Sequence, residues 1–181
     1  MKDLSPAIFL VPIITLVIVV SLYRYLLQKA LNKMAFRRTI FNMLIIAFVL
    51  NWIWELLQAP LYKGFSYSVF NISFCTLASV ADVTMVILLY FIFALIYKNP
   101  LWGQQPTLMR VLLVMIVGGI GAIVAESLHT KAGNWAYSDK MPIIPIGKVG
   151  LPPILQFLML PVIIYYLSFQ LLKIKWGKRI V

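Results

Sequence analysis

Residues Thr76–Tyr97 read TLASVADVTMVILLYFIFALIY, 22 residues with one charged side chain, Asp82. At 1.5 Å per residue, a helix of this length crosses the ~30 Å hydrocarbon core of a bilayer. Four other stretches meet the same requirement: Pro6–Leu27, Thr39–Ala59, Leu108–Leu128 and Pro153–Leu172. The composition agrees, with 62% hydrophobic and 12% charged residues and a mean hydropathy of +0.95. Soluble domains carry about 45–50% apolar and about 25% charged residues. A water-soluble globule, a disordered chain, a collagen and a nucleic-acid-binding domain are excluded on that arithmetic. The single cysteine, Cys75, allows no intrachain disulfide and no CxxC site. The sequence therefore predicts an all-α, polytopic membrane helix bundle of about five transmembrane helices, forming one domain over residues 1–181.

The first span exceeds the ~7–15 apolar residues of a secretory h-region, and no small-residue cleavage pattern follows it, so it is expected to be a retained helix. The stretch Leu61–Cys75 is too short and polar for a sixth crossing. Net charge is +11, and the basic residues fall between the apolar runs. Arg24, Lys29, Lys33, Arg37, Arg38, Lys98, Arg110, Lys173, Lys175, Lys178 and Arg179 lie on one side; Lys2, Lys63, Lys131, Lys140 and Lys148 lie on the other. The positive-inside bias puts the N-terminus outside a cell membrane and the C-terminus in the cytoplasm. Trp54, Tyr62, Trp102, Trp135, Tyr137 and Trp176 near the span ends read as interface anchors. The pairs Gly118/Ala122 and Gly121/Ala125 read as helix-packing positions.

Only five carboxylates exist, and Glu55, Asp82 and Glu126 fall inside spans. An ionisable group in hydrocarbon costs about 2.5–3.5 kcal/mol on the mildest insertion scale, so such residues face the bundle interior and usually have a function there. By their position in the spans, all three lie within about 10 Å of the outer boundary. Polar residues share their helix faces: Asn51 and Gln58 with Glu55, Ser79 with Asp82, and His129 and Thr130 with Glu126. Gln156 opens the fifth span at the same level. Arg110 belongs to the opposite face, so no counter-ion is at hand. Desolvation and like-charge proximity then leave at least one carboxylate protonated beside an ionised one, the arrangement of acid–base sites.

Above this level runs the longest connection, His129–Pro152, with three prolines, a fourth following at Pro153, and three glycines. Such a loop is stiff and turn-rich, and Met141, Ile143, Ile144, Ile146 and Val149 are expected to pack it into the mouth of the bundle. The candidate catalytic residues are thus Glu55, Asp82 and Glu126. The candidate substrate-binding residues are Asn51, Trp54, Gln58, His129, Trp135, Tyr137 and Gln156.

The pattern N-W-x-W-E-x-x-Q-x-P-x-Y at Asn51–Tyr62, with Trp135-x-Tyr137-x-x-x-Met141-Pro142 and Gly150-Leu-Pro-Pro-x-Leu-Gln156, resembles a family of small, uncharacterised bacterial multi-pass membrane proteins. That resemblance covers residues 40–165 and implies no defined activity. A looser resemblance is to the membrane-embedded lycopene cyclase domain family. There a helix carboxylate precedes a G-x-W-x-Y-like loop and a G-x-P-x-E-E helix start; Glu126, Gly133-Asn-Trp135-Ala-Tyr137 and Gly150–Gln156 take those places here. The family's acidic pair is replaced by Leu155-Gln156, so a proton donor must be Glu55, Asp82 or Glu126.

Two function classes follow. One is an intramembrane enzyme that protonates a double bond of an isoprenoid or lipid substrate, with Trp54, Trp135 and Tyr137 stabilising the cation through their ring faces. The other is a lipid-binding, transport or assembly protein without chemistry. A third, metal or haem binding, is disfavoured by the single histidine: Glu126-x-x-His129 is one E-x-x-H pair where a di-iron bundle needs two. No cofactor is implied. The expected partners are membrane lipids and not nucleic acid, and the sequence is silent on oligomeric state.

Overall fold

The computed structural model describes residues 10–177, with side-chain surroundings for residues 13–172. Five helices make up the described chain: α1 (Leu10–Lys29), α2 (Lys33–Gln58), α3 (Val69–Ile96), α4 (Leu108–Lys131) and α5 (Leu151–Gly177). The all-α bundle read from the sequence is the architecture found. Among the described residues, four stretches are long and apolar enough to cross a membrane: Lys33–Leu61, Val69–Ile96, Leu108–Lys131 and Leu151–Leu172. The beginning of the first expected span, together with Lys2, Lys178 and Arg179 and the side chains of Lys173, Lys175 and Trp176, lies outside the described residues.

The helices start where short polar side chains can satisfy the first free N–H groups. Asn32 Oδ1 accepts from Ala35 N at 2.9 Å, Ser68 Oγ from Asn71 N at 3.2 Å and Thr107 Oγ1 from Arg110 N at 3.4 Å. α5 opens with Pro152 and Pro153 in its first turn, where proline lacks nothing the helix would use. The Ser68 cap begins α3 seven residues before Thr76, so the polar stretch ahead of the expected span is its first two turns.

α2 packs on α3 and α5, α5 on α4, and α3 on α1. One core, running through Phe36 and Met43 of α2, Val86, Tyr90 and Phe91 of α3, Val114 of α4 and Ile164 of α5, fills the end of the bundle where α1 meets α2. We call this the basic end and its opposite the carboxylate end. Trp102 corrects its reading as an interface anchor. It is buried, donates Nε1–H to Tyr90 O at 3.1 Å and stacks on the Tyr90 ring, because the 3-10 turn Trp102–Gln104 folds back into the core.

The α4–α5 contact is close for a backbone reason. Pro161 has no N–H for the carbonyl of Phe157. At that carbonyl Gly118 supplies no side chain: a Cβ there would lie 2.3 Å from Phe157 O. Gly118 and Ala122 are buried, whereas Gly121 has open space where its Cβ would be, so only the first of the two small-residue pairs serves this contact. Between α4 and α5 the chain forms a short hairpin, β1 (Ile143–Ile144) with β2 (Val149–Gly150). Met141 and Val149 are buried as expected, but Ile143 and Ile146 are exposed, Ile146 lying in the hairpin turn.

Candidate functional site

The α2 stripe of Asn51, Glu55 and Gln58 faces the bundle interior. Asn51 is fully buried and donates Nδ2–H to Ala47 O at 2.8 Å, which leaves its Oδ1 as an acceptor. That acceptor takes Gln156 Nε2–H at 2.9 Å. The same Gln156 amide donates to Asp82 Oδ2 at 2.8 Å, and its Oε1 accepts from Gln58 Nε2 at 3.2 Å. Gln58 Nε2 also donates to Glu55 Oε1 at 2.6 Å. One buried amide on α5 therefore ties α2 to α3. Gln58 and Gln156 thereby link Glu55 to Asp82. Gln58 Oε1, also buried, has no donor; an unmet buried acceptor costs roughly 1–3 kcal/mol.

Glu126 forms a second centre. It is 8% exposed and receives Tyr137 O–H, Trp135 Nε1–H at 3.3 Å and, at a long 3.5 Å, Tyr62 O–H. The three donors arrive through the backbone of the two connections. Tyr62 follows the 3-10 turn Ala59–Leu61 and forms an antiparallel bridge with Tyr137. Lys63 N donates to Ala136 O at 2.8 Å and Ser138 N to Leu61 O at 2.9 Å. The Tyr62 ring lies edge-on to Trp135 and 5.7 Å from the ring of Tyr137. Burial, reinforced by the Glu126 carboxylate, pushes both phenols well above the ordinary tyrosine range. They remain O–H donors at any pH the protein meets.

The structure thus gathers Asn51, Glu55, Gln58, Asp82 and Gln156 into one network, and Glu126, Trp135 and Tyr137 into another beside it. Three expected neighbours lie elsewhere. His129 turns away from Glu126: its ring stacks on Trp135 at 4.4 Å, and Nδ1 pairs with Asn134 Nδ2 at 2.8 Å. Trp54 packs on the main core with its indole N–H unpartnered. Ser79 donates to Cys75 O of its own helix, not to Asp82. Because α3 begins at Val69, Asp82 also lies deeper along its helix than expected, thirteen residues or about 20 Å from the helix start.

Tyr62 is the participant that reading the sequence assigned elsewhere, to the interface. Its signal was its place seven residues after Glu55 in the same short motif. Among the described residues no cation joins either centre: Lys63 is exposed, and Arg110 lies at the basic end. Among the described residues, no three of His, Cys, Asp and Glu come together as a metal-binding set. Compared with protein-family models, curated proteins and solved structures, the chain matches none.

Proposed function

We propose that the chain is an intramembrane acid–base enzyme acting on an isoprenoid or other lipid with a carbon–carbon double bond. The observation that carries this reading is the division of three cation-free carboxyl groups into two environments. Glu55 and Asp82 are linked through the amides of Gln58 and Gln156, whereas Glu126 takes three donors from aromatic side chains. Burying two linked carboxyl groups without a cation favours a proton held on one of them, so this pair is the proton donor. Glu126, held by fixed donors, is the anionic partner.

In the reaction, the proton of the Glu55–Asp82 pair forms a new C–H bond at one alkene carbon, and the π electrons leave a cation at the other. A second double bond of the substrate attacks that cation, closing a ring. Loss of a neighbouring proton to a site carboxylate restores an alkene, so the step is an isomerising cyclisation with no net proton consumed. Trp135, Tyr137 and Tyr62, which reach Glu126 through their N–H and O–H groups, are the aromatic rings beside it. The looser resemblance to lycopene cyclase domains points the same way. Gln156, where that family has a carboxylate, here donates to Asp82, so the acid role moves to α3 and α2.

On the bias of basic residues, the carboxylate end faces the outside of a cell membrane and the C-terminus lies in the cytoplasm. A second reading, a lipid-binding, transport or assembly protein without chemistry, draws on the Gln156 network, which links α2, α3 and α5 through protein groups alone.

The test is untargeted lipid and isoprenoid mass spectrometry on membranes lacking the protein, containing it, or containing Glu126→Gln or Asp82→Asn at equal level. A product present only with both carboxylates intact is the expected result, with each variant lowering it about 10²–10⁴-fold, the usual worth of a general acid or base. Identical profiles from folded protein and variants overturn the enzymatic reading and leave the second.

A further inference from the structure

At the basic end, far from both carboxyl centres, a groove of about 320 Å³ opens between α4, α5 and the Trp102–Gln104 turn. Its walls are apolar, with Val111 and Val114 on one side and Ile163 and Tyr166 on the other, and Arg110 and Gln104 stand among its lining residues. Ile163 and Tyr166 are 38% and 56% exposed, so this wall faces the surroundings of the bundle. Arg110 is the third residue of α4, at the depth where a membrane-spanning helix meets the headgroups.

The guanidinium is held rigidly but is not saturated. Nη1 donates to Trp102 O at 3.1 Å and Gln105 O at 2.9 Å, and Cζ lies 4.7 Å from the centre of the Tyr97 ring. Among the described residues, Nε and Nη2 donate to no protein group, which leaves the fork that binds phosphate oxygens bidentately. The surroundings favour an anion as well. Arg24, Lys29, Lys33, Arg37, Arg38 and Lys98 share this end, and no carboxylate lies there among the described residues.

We propose that this groove binds one anionic phospholipid, its phosphate on the free edge of Arg110 and one acyl chain along Val111, Val114 and Ile163. The pieces match that occupant and no soluble anion: a half-satisfied arginine near the start of α4 is continuous with an apolar groove. Charge on the headgroup is met by a cationic face without counter-ions.

Native mass spectrometry of the detergent-purified protein, titrated with dioleoyl phosphatidylglycerol or dioleoyl phosphatidylcholine, tests this. The expected result is one retained phosphatidylglycerol per chain and at least tenfold weaker retention of phosphatidylcholine. Arg110→Gln should abolish that preference, and Arg110→Lys should recover only part of it. Because Arg110 also braces the Trp102–Gln105 segment, Ile163→Trp provides an independent variant that fills the groove and leaves the arginine in place. It should lower retention of both lipids. Equal retention of the two lipids by the parent protein overturns the proposal, as does a folded Arg110→Gln or Ile163→Trp that holds phosphatidylglycerol like the parent.

Discussion

Gln156 decides how much of the carboxylate end survives a single substitution. It is 1% exposed and meets Asn51, Asp82 and Gln58 at once. Gln156→Met keeps its volume but leaves Asn51 Oδ1 and Asp82 Oδ2 without that donor in a buried site. Each orphaned acceptor costs roughly 1–3 kcal/mol, so a loss of about 2–5 kcal/mol is expected in detergent-solubilised unfolding. A milder pair is Tyr137→Phe and Tyr62→Phe. Tyr137 hydrogen-bonds Glu126 whereas Tyr62 reaches it only at a long 3.5 Å, so Tyr137→Phe should destabilise more, by about 1–2 kcal/mol against a few tenths. Equal effects would mean that the two phenols share Glu126 evenly. The carboxylates, Gln58 and Gln156 were legible because ionisable and amide groups are costly in apolar helices. His129 was not. Its i, i+3 spacing from Glu126 pairs the two on paper, but Gly133, at φ +71°, turns the chain back so that Trp135 covers the imidazole.

Among the elements, the α4–α5 seam carries the sharpest constraint. Gly118→Ala would push a methyl to 2.3 Å from Phe157 O, a backbone atom that cannot swing aside, so the helices must separate. Overpacking of this kind costs about 1–3 kcal/mol. Gly121→Ala is the matched control: nothing lies within 4 Å of its Cβ position, and alanine is the better helix former by up to about 1 kcal/mol. Melting temperatures should fall for the first variant and hold or rise for the second; a fall in both would place Gly121 in an unseen contact. The sequence marked both glycines alike, because their small-residue spacing is the same. Which of them meets α5 depends on Pro161 freeing the Phe157 carbonyl on the facing helix, a relation no periodicity within α4 expresses. For the same reason the helices were found but their starts were not. Ser68 caps α3 well before the apolar run begins, and hydropathy cannot see a cap.

At the scale of the whole molecule, charge separates the two ends, and under the proposed function that separation predicts which leaflet the substrate comes from. Among the described residues every carboxylate belongs to the half carrying Tyr62, Trp135 and the hairpin, while the opposite end holds only cations. The positive-inside rule predicts that the cationic end faces the cytoplasm. The lone cysteine makes the test direct. Cys75 is buried, so Cys75→Ala gives a background without a reactive thiol. On it, Lys140→Cys places a thiol in the exposed α4–α5 connection and Gln105→Cys places one in the exposed α3–α4 connection. A membrane-impermeant maleimide added to intact cells should label position 140 and not position 105, with both labelled after permeabilisation. The inverse pattern would put Glu126 and its aromatic donors on the cytoplasmic side. Substrate would then have to enter from the inner leaflet, and the net charge of +11 would have been a poor guide to topology because its cations serve the groove at Arg110 instead. Labelling of position 140 alone would make the outer leaflet the source of substrate and set the phospholipid site against the anionic inner leaflet, where its arginine is most useful.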